Sequence, residues 1–267
     1  MNGRRGPPAP LLASMQVPFV DLHCHLLPGV DDGARDLDEA LAYAERIARL
    51  GVTELTVTPH VHPVWLTDPL EIPPRAAALQ AALDSAGVGV TVHPGGELHH
   101  SALPGLTAAG LDAIAHGPAG ARWVLMEAPF AGVDDDFVTA GHDLMDRGYG
   151  VLIAHPERAR GLRRDGGLTR LGGLVARGAR FQVNVDSLLG RHGPGPEVTG
   201  EWLLRRGLAH CLASDAHPGT REHTLADGVA LVIAAGGTPE QAQILLARHP
   251  AALLRDGLPR VAGRLAG

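Results

Sequence analysis

Short apolar runs recur along the chain at intervals of roughly 30 residues, the size expected of one strand-helix unit. Short, continuous apolar runs are typical of strands buried on both faces of a parallel sheet. The predicted strands are Phe19–Leu22, Glu54–Thr58, Val88–His93, Trp123–Glu127, Gly150–Ala154, Arg180–Asn184 and His210–Ala213.

Segments with helical patterning lie between these runs and after the last one. The first begins with Asp36 as its N-cap, carries Glu39 three positions later and stops at Gly51, an arrangement typical of a capped helix. Several others also end at a glycine that leads into a strand. The predicted helices are Asp36–Leu50, Pro73–Ala86, Asp134–Arg147, Leu168–Arg177, Pro196–Arg206, Arg221–Ala235 and Pro239–Leu254.

Alternation of strands and helices predicts an α/β fold built on a parallel sheet. Seven such units suit a TIM-like barrel better than an open sheet, although periodicity does not prove closure. We predict one barrel domain over residues 18–258. Residues 1–17 are expected to be a disordered N-terminal tail, with Met15 as a candidate true start, and residues 259–267 a short C-terminal tail.

Composition narrows the functional classes. The net charge is −6 and all 23 basic residues are Arg, which argues against general nucleic-acid binding. No apolar run approaches the ~18 residues of a membrane span, and we expect a cytoplasmic protein. Cys24 and Cys211 are too few for a disulfide framework and are expected to be buried thiols. Fifteen His among 267 residues call for a chemical explanation.

His, Asp or Glu side chains capable of binding metal end six of the seven predicted strands, and the sixth strand ends near Asn184 and Asp186. Because the chemistry of such barrels lies at the carboxyl ends of their strands, these side chains are expected to meet. Each motif alone is weak, since a single H-x-H or S-D-x-H also occurs in cores and on surfaces. The strand-end residues are His23, His25, His60, Glu97, Glu127, His155, Asn184, Asp186, Asp215 and His217.

The spacing of these residues indicates shared ligands. Residues i and i+2 of a strand point the same way, so His23 and His25 can face one ion while Cys24 faces away. Asp215 and His217 have the same spacing. Mixed imidazole and carboxylate donors suit Mn, Fe or Zn. The set is too large for one ion and sufficient for two or three.

Seven motifs occur in order over about residues 18–257. They are FVDLHCHLLPGVDDGA, TPHVHP, GGELHH, VLMEAPF, VLIAHPERAR, QVNVDSLLGRHG and ASDAHPGTR. Together they resemble the bacterial PHP-type protein tyrosine phosphatases, which dephosphorylate the tyrosine kinases that control capsule and exopolysaccharide synthesis. The resemblance implies a distorted seven-stranded (β/α)7 PHP barrel. It also implies a cluster of two or three divalent ions. Mn is the expected ion, and Fe, Zn, Co or Mg are the alternatives.

The resemblance also assigns roles to individual residues. Asp32 enters as a ligand from the DDG motif, although Asp31 is an alternative. Arg158 and Arg221 are expected to grip the phosphate. His62, His99 and His100 are expected to border the site. The full implied ligand set is His23, His25, Asp32, His60, Glu97, Glu127, His155, Asp215 and His217.

The expected reaction is hydrolysis of phosphotyrosine by a hydroxide that bridges two metal ions. The expected partner is a phosphotyrosine protein, a bacterial tyrosine kinase in particular, and the oligomeric state is left open. Alternatives are a PHP phosphatase of histidinol phosphate or nucleotides, a metal-dependent amidohydrolase, and a non-catalytic metal-binding domain. The amidohydrolase is disfavoured because such enzymes commonly use a carboxylated Lys and this chain has none.

Overall fold

A computed structural model describes residues 18–66, 68–221 and 225–258. The predicted N-terminal and C-terminal tails lie outside these residues. Nine strands occur in the described part of the chain. They are β1 (Phe19–Cys24), β2 (Val52–Val57), β3 (His60–Val61), β4 (Thr91–Pro94), β5 (Glu97–Leu98), β6 (Trp123–Glu127), β7 (Gly150–Ala154), β8 (Arg180–Asn184) and β9 (Ala209–Ala213).

The strands form two sheets in which every pairing is parallel. One sheet has the order β1-β2-β4, and the other has the order β3-β5-β6-β7-β8-β9. This arrangement confirms the predicted α/β class with a parallel sheet. β3 follows β2, and β5 follows β4, after a break of only two residues, so two chain segments pass from the first sheet to the second.

Backbone contacts also join β1 to the segment that follows β9. Cys24 forms a parallel bridge with Ala216, and the amide of His25 donates to the carbonyl of Ala216 at 2.9 Å. The amide of Asp215 donates to the carbonyl of His23 at 2.8 Å. The first and last predicted strand ends are therefore held side by side.

The predicted strand boundaries are accurate for β6, β7 and β8. The run Val88–His93 is a partial error, because the strand begins at Thr91. The amide of Val88 instead donates to the carbonyl of Leu83 at the end of a helix. Val88 and Val90 are buried, so they are apolar because they pack in the core before the strand begins.

Helices flank the strands as the patterning predicts. Asp36 caps the first of them by accepting a hydrogen bond from the amide of Glu39 at 2.9 Å. The helices are α1 (Leu37–Arg49), α2 (Ile72–Ser85), α3 (Ala108–Ile114), α4 (Asp135–Asp146), α5 (Gly167–Arg170), α6 (Gly172–Ala176), α7 (Val185–Leu188), α8 (Pro194–Arg205), α9 (Leu225–Ala234), α10 (Pro239–Gln243) and α11 (His249–Asp256).

Three helical predictions need adjustment, and one helix was not predicted. The helix over residues 168–177 is two short helices, α5 and α6. The helix over Pro239–Leu254 is α10 and α11, joined by a π-helical turn at Ile244–Arg248. The helix expected to begin at Arg221 starts at Leu225 in the described residues, and residues 222–224 lie outside them. A helix absent from the prediction, α3, is capped by the Thr107 hydroxyl, which accepts from the amide of Gly110 at 3.1 Å.

A compact apolar cluster lies beneath the strand ends. It contains Val20, Leu22, Trp123, Leu125, Leu152, Ala154, Cys211, Leu253 and Leu258. Because alternate residues of a strand share a face, Glu127 continues the face of Trp123 and Leu125. The Trp123 indole donates to the carbonyl of Leu253 in α11 at 2.9 Å. Within the described residues, no helix is both long enough and apolar enough to cross a membrane.

Candidate metal centre

The two histidines of the H-x-H motif point to one place. Their Nε2 atoms lie 3.2 Å apart, and each lies 3.4 Å from Oδ1 of Asp215 and 3.4 Å from Oε2 of Glu97. Cys24 between them is buried, with its Sγ 3.7 Å from the carbonyl of Ala216. The alternation expected from the sequence therefore holds.

The turn after β1 separates the roles of two neighbouring aspartates. Asp31 accepts hydrogen bonds from Nδ1 of His25 at 2.7 Å and from the amide of His60 at 2.9 Å. Asp32 instead presents Oδ1 to Nε2 of His217 at 3.2 Å and to Nε2 of His60 at 3.4 Å. Asp31 thus orients a histidine, while Asp32 faces the same space as the histidine nitrogens.

Gly33 makes this turn possible. A Cβ atom at this position would lie 2.1 Å from the carbonyl oxygen of His25, so any larger residue would push the turn off β1. The amide of Gly33 donates to Oδ1 of Asp31 at 2.9 Å. The glycine of the D-D-G sequence is therefore required by the shape of the turn, and the two aspartates supply the carboxylates of the site.

Glu97 stands at the middle of the cluster. Its Oε1 lies 2.7 Å from Nε2 of His155, and its Oε2 lies 3.1 Å from Nδ1 of His60. A ligand atom of Glu127 lies within 4.8 Å of ligand atoms of His60 and Glu97. A single buried carboxylate thus connects the histidines of three chain segments.

All nine predicted metal ligands converge. Four overlapping groups have ligand atoms within 4.8 Å of one another. They are His25–Asp32–His60–His217, His23–His25–Glu97, His23–His155–Asp215 and His60–Glu97–Glu127. Among the described residues, Asp186 belongs to none of these groups. It lies in α7, and its carboxylate is 3.4 Å from Nη1 of Arg191.

The electrostatics of the cluster favour a cation. Burial disfavours the charged form of His60, but Glu97 and Asp32 outweigh it and raise the pKa of His60 to about 10. Burial also opposes ionisation of Asp215, yet His23, His25 and Arg221 hold its pKa well below its usual range. Burial and the neighbouring Glu97 raise the pKa of Glu127 to about 8. The carboxylates therefore stabilise positive charge at this point.

Two residues of the cluster have a left-handed backbone. His155 has φ 33° and Asp215 has φ 49°, and among the described residues they alone do so without being glycine. Such conformations cost about 1 to 3 kcal/mol and concentrate at functional sites. The turns at the ends of β7 and β9 therefore hold these two side chains in place against a local preference.

Arginines border a pocket above the cluster. Nη1 of Arg158 lies 3.0 Å from Oδ2 of Asp215, and Nη2 of Arg221 lies 2.6 Å from Nε2 of His217. Both line a pocket of about 100 Å³. The other residues that line it are Asp32, His60, Glu97, Glu127, Phe130, His155 and Asp215.

Sequence reasoning missed the role of Gln182. Its Oε1 lies 3.0 Å from Nδ1 of His23 and accepts that proton, so Nε2 of His23 is left free to face the site. The Gln182 amide donates to Asn184 at 2.7 Å, and Asn184 donates to Asp215 at 2.6 Å. The one available signal was the i, i+2 spacing of two amides in β8.

Phe130 was also missed, whereas the three histidines expected to border the site are not among the described residues that line the pocket. Phe130 follows β6 and is 49% exposed although it lines the pocket. The rings of His62 and His99 lie 4.7 Å apart, and those of His99 and His100 lie 4.4 Å apart. This group follows β3 and β5, beside His60 and Glu97 in the chain.

Comparison with known proteins gives one consistent family. The chain is 32% identical over 200 residues to the tyrosine-protein phosphatase YwqE of Bacillus subtilis, covering 74% of this chain and 77% of that protein. It is 28% identical over 202 residues to the putative tyrosine-protein phosphatase CapC of Staphylococcus aureus, with the same coverage of each.

A solved structure is similar over almost the whole fold. It comes from a study of YwqE from Bacillus subtilis and CpsB from Streptococcus pneumoniae, described as unique metal-dependent tyrosine phosphatases. It matches with a TM-score of 0.71 and 28% identity, covering 91% of this chain and 97% of that one. Residues 19–255 match the family described as capsular polysaccharide synthesis, CpsB/CapC. This chain therefore belongs to the CpsB/CapC family.

Proposed function

We propose that this chain is a metal-dependent phosphatase that hydrolyses phosphotyrosine on proteins. The observation that carries the proposal is the convergence of nine imidazole and carboxylate side chains beneath a small pocket bordered by Arg158 and Arg221. The relatives named tyrosine phosphatases, including a metal-dependent one with a similar fold, support it. A seven-unit distorted barrel over residues 18–258 is the architecture we propose for the domain.

The donor set fits divalent metal ions. Oε2 of Glu97 lies 3.1 to 3.4 Å from nitrogens of three histidines without a well-directed hydrogen bond to any of them. Nδ1 of His155 is buried without a hydrogen-bond partner among the described residues. The Nε2 atoms of His23 and His25 face each other across 3.2 Å, an arrangement that a cation between them would stabilise. We propose two or three ions, with Mn as the first candidate. Fe, Zn, Co and Mg are alternatives because sites of His and carboxylate ligands also accept them. The proposed ligands are His23, His25, Asp32, His60, Glu97, Glu127, His155, Asp215 and His217.

Bound divalent ions would activate water as the nucleophile and neutralise charge on the phosphoryl oxygens. The protein's own part is to bind and orient the phosphate. The guanidinium groups of Arg158 and Arg221 lie at the wall of the pocket and would donate paired hydrogen bonds to two phosphoryl oxygens. Asp215 contacts Arg158 at 3.0 Å and fixes the position of its guanidinium.

The substrate's leaving group suits this site. A tyrosine phenolate has a pKa near 10, so it departs with less protonation than a serine alkoxide would need. Phe130 exposes an aromatic ring at the mouth of the pocket, 5.7 Å from the ring of His155. That ring offers a stacking surface to the phenyl group of phosphotyrosine.

A cysteine nucleophile is not supported by the described residues. Cys24 and Cys211 are both buried, and neither lines the pocket. Burial raises the pKa of both thiols, whereas a nucleophilic cysteine needs a lowered pKa and access to substrate.

Turnover by purified protein tests the proposal. We expect hydrolysis of a phosphotyrosine peptide with added Mn, loss of activity after chelation, and loss in His23→Ala. Histidinol phosphate and nucleoside monophosphates should be poor substrates by comparison. Faster turnover of either would favour the other PHP phosphatases, and full activity after complete metal removal would overturn the metal route.

We further propose that the natural substrate is a phosphorylated bacterial tyrosine kinase and that the protein acts in the cytoplasm. Family membership in capsular polysaccharide synthesis supports this setting. Phosphotyrosine levels of such kinases in cells with and without the active enzyme test it. Unchanged kinase phosphorylation in cells that lack the enzyme would contradict the assignment.

A further inference from the structure

A groove rich in arginine lies beside the metal centre. Four of the chain's 23 arginines, Arg158, Arg160, Arg163 and Arg164, fall within seven residues of sequence, and all four line the same groove of about 600 Å³. We name it the arginine groove. Its remaining lining comes from Phe130, from residues 157, 159, 161, 162 and 165 of the same loop, and from the start of α8 at residues 194–196, 198 and 199.

The arginine groove is continuous with the pocket of the metal centre. Phe130 and Arg158 line both. The Arg158 guanidinium lies 4.3 Å from the centre of the Phe130 ring and 3.0 Å from Asp215. A phosphotyrosine seated over the metal ligands would therefore have its neighbouring residues directed across this shared wall.

The loop's apolar residues are anchored inside and its charges are presented outside. Ala159 and Leu162 are buried, and the amide of Arg160 donates to the carbonyl of Phe130 at 3.2 Å. Arg160 and Arg164 are exposed, and Arg163 is half-buried. The loop thus holds three guanidinium groups at the surface while its backbone is tied to the wall of the site.

These three guanidinium groups lack partners among the described residues. Several arginines of comparable exposure elsewhere are paired, as Arg75 is with Glu71 at 2.7 Å and Arg147 with Asp143 at 2.7 Å. No hydrogen bond or ion pair of the side chains of Arg160, Arg163 or Arg164 occurs in the part of the chain that the structure describes. The net charge of the chain is −6, so this cluster of unpaired arginines makes one part of the surface locally positive.

The acidic residues of the groove leave an excess of positive charge. Glu157 is buried, accepts the amide of Asn184 at 3.0 Å, and burial raises its pKa to about 7. Asp165 is the second carboxylate. Arg158 is already paired with Asp215 outside the groove, so the other three guanidinium groups face at most two carboxylates. The N-terminal end of α8 on the opposite wall adds the positive end of a helix dipole.

We propose that the arginine groove binds acidic side chains that flank the phosphotyrosine in the substrate polypeptide. This inference rests on the proposed phosphatase function and narrows its substrate to phosphotyrosines in acidic sequence. Arg158 holds the scissile phosphate, and Arg160, Arg163 and Arg164 hold carboxylates or further phosphates a few residues away. Arginine suits both groups because its planar fork matches their oxygens.

Steady-state kinetics with three matched peptides test the groove. One peptide has Glu on both sides of the phosphotyrosine, one has Gln at those positions, and one has a non-hydrolysable phosphotyrosine mimic there. The test variant carries Arg160→Gln, Arg163→Gln and Arg164→Gln. The matched control carries Arg49→Gln, Arg75→Gln and Arg255→Gln, which remove the same charge from α1, α2 and α11.

We expect the wild-type protein to have a KM about tenfold lower for the Glu peptide than for the Gln peptide, with similar kcat. The test variant should lose that difference while keeping its kcat/KM for free phosphotyrosine within about twofold. The control should retain the difference. Comparison of the Glu peptide with the mimic peptide then shows whether carboxylate or phosphate is preferred.

Equal KM for the Glu and Gln peptides in the wild type would overturn the inference and leave the phosphatase function intact. An equal loss in the control variant would also overturn it, since only net charge would then matter. If the wild type hydrolyses no phosphotyrosine peptide, the proposed function fails. Fluorescence anisotropy with labelled Glu and Gln peptides still tests the groove in that case, and equal affinity would reject it.

Discussion

Asp31 accepts a hydrogen bond from Nδ1 of His25 at 2.7 Å, and this contact fixes which nitrogen of the ring faces the candidate metal centre. Asp31 also accepts from the backbone of His60. Its carboxylate therefore serves two strand ends without facing the ligand cluster itself. Asp32, the next residue, faces His60 and His217.

Substitution of Asp31 and substitution of Asp32 should impair activity in different ways. Asp31→Asn weakens the orientation of His25, and we expect the metal concentration for half-maximal activity to rise about 10- to 100-fold, with kcat largely restored at saturating metal. Asp32→Asn removes an anionic donor from the cluster, so its kcat should stay low at any metal concentration. Asp38→Asn on α1 is the matched control. The reverse pattern would make Asp31 the ligand.

The contacts of the Arg158 guanidinium predict that even a conservative substitution at this position lowers activity. Its guanidinium contacts Asp215 and lies over Phe130, and a lysine cannot reproduce either the fork or the planar stacking. We expect Arg158→Lys to lower kcat/KM for a phosphotyrosine peptide by about 100-fold, measured at saturating metal. Arg170→Lys, at an exposed pair with Asp135, should change it less than about twofold. Near-normal activity of Arg158→Lys would show that charge alone suffices at this position.

The buried thiols give a prediction of no effect. Cys24→Ala combined with Cys211→Ala should retain activity within about threefold, because burial raises the pKa of both thiols and neither reaches the pocket. Turnover of a phosphotyrosine peptide at saturating metal is the measurement, with circular dichroism as a check on folding. A folded double variant without activity would point to a covalent cysteine route.

The convergence of the strand-end side chains could be predicted because each lies where an apolar run meets a polar residue. Three strands, β6, β7 and β8, also have the predicted bounds. The polar contacts that orient the ligands could not be predicted in the same way. Gln182 lies within a buried strand, and its role depends on His23, which is 159 positions away in the chain.

The breaks that divide the parallel strands into two sheets could not be predicted from the sequence pattern either. A Cβ at Gly95 would lie 2.2 Å from Nε2 of His116, and one at Gly96 would lie 2.8 Å from side-chain atoms of Ile114 and Val61. These glycines between β4 and β5 are required by close approach of residues from other segments. Periodicity along one segment carries no information about such an approach.

His116 predicts how stability depends on pH. Its ring is buried, lies 4.6 Å from the Trp123 ring between centroids, and leaves Nε2 without a partner among the described residues. Burial, with smaller contributions from His93 and Arg122, lowers the pKa of His116 to about 3. The unfolded chain binds this proton near pH 6.5, whereas the folded chain does not bind it until the pH is far lower.

The unfolded state therefore gains protons first as the pH falls, so this residue costs stability below pH 6.5. At pH 5 the cost is about 2 kcal/mol relative to pH 7.5. We expect the free energy of unfolding, measured with urea, to fall by about that much more in the wild type than in His116→Phe or His116→Gln between these two pH values. Parallel pH dependence in the wild type and both variants would show that His116 is protonated in the folded protein, contrary to its burial against Trp123.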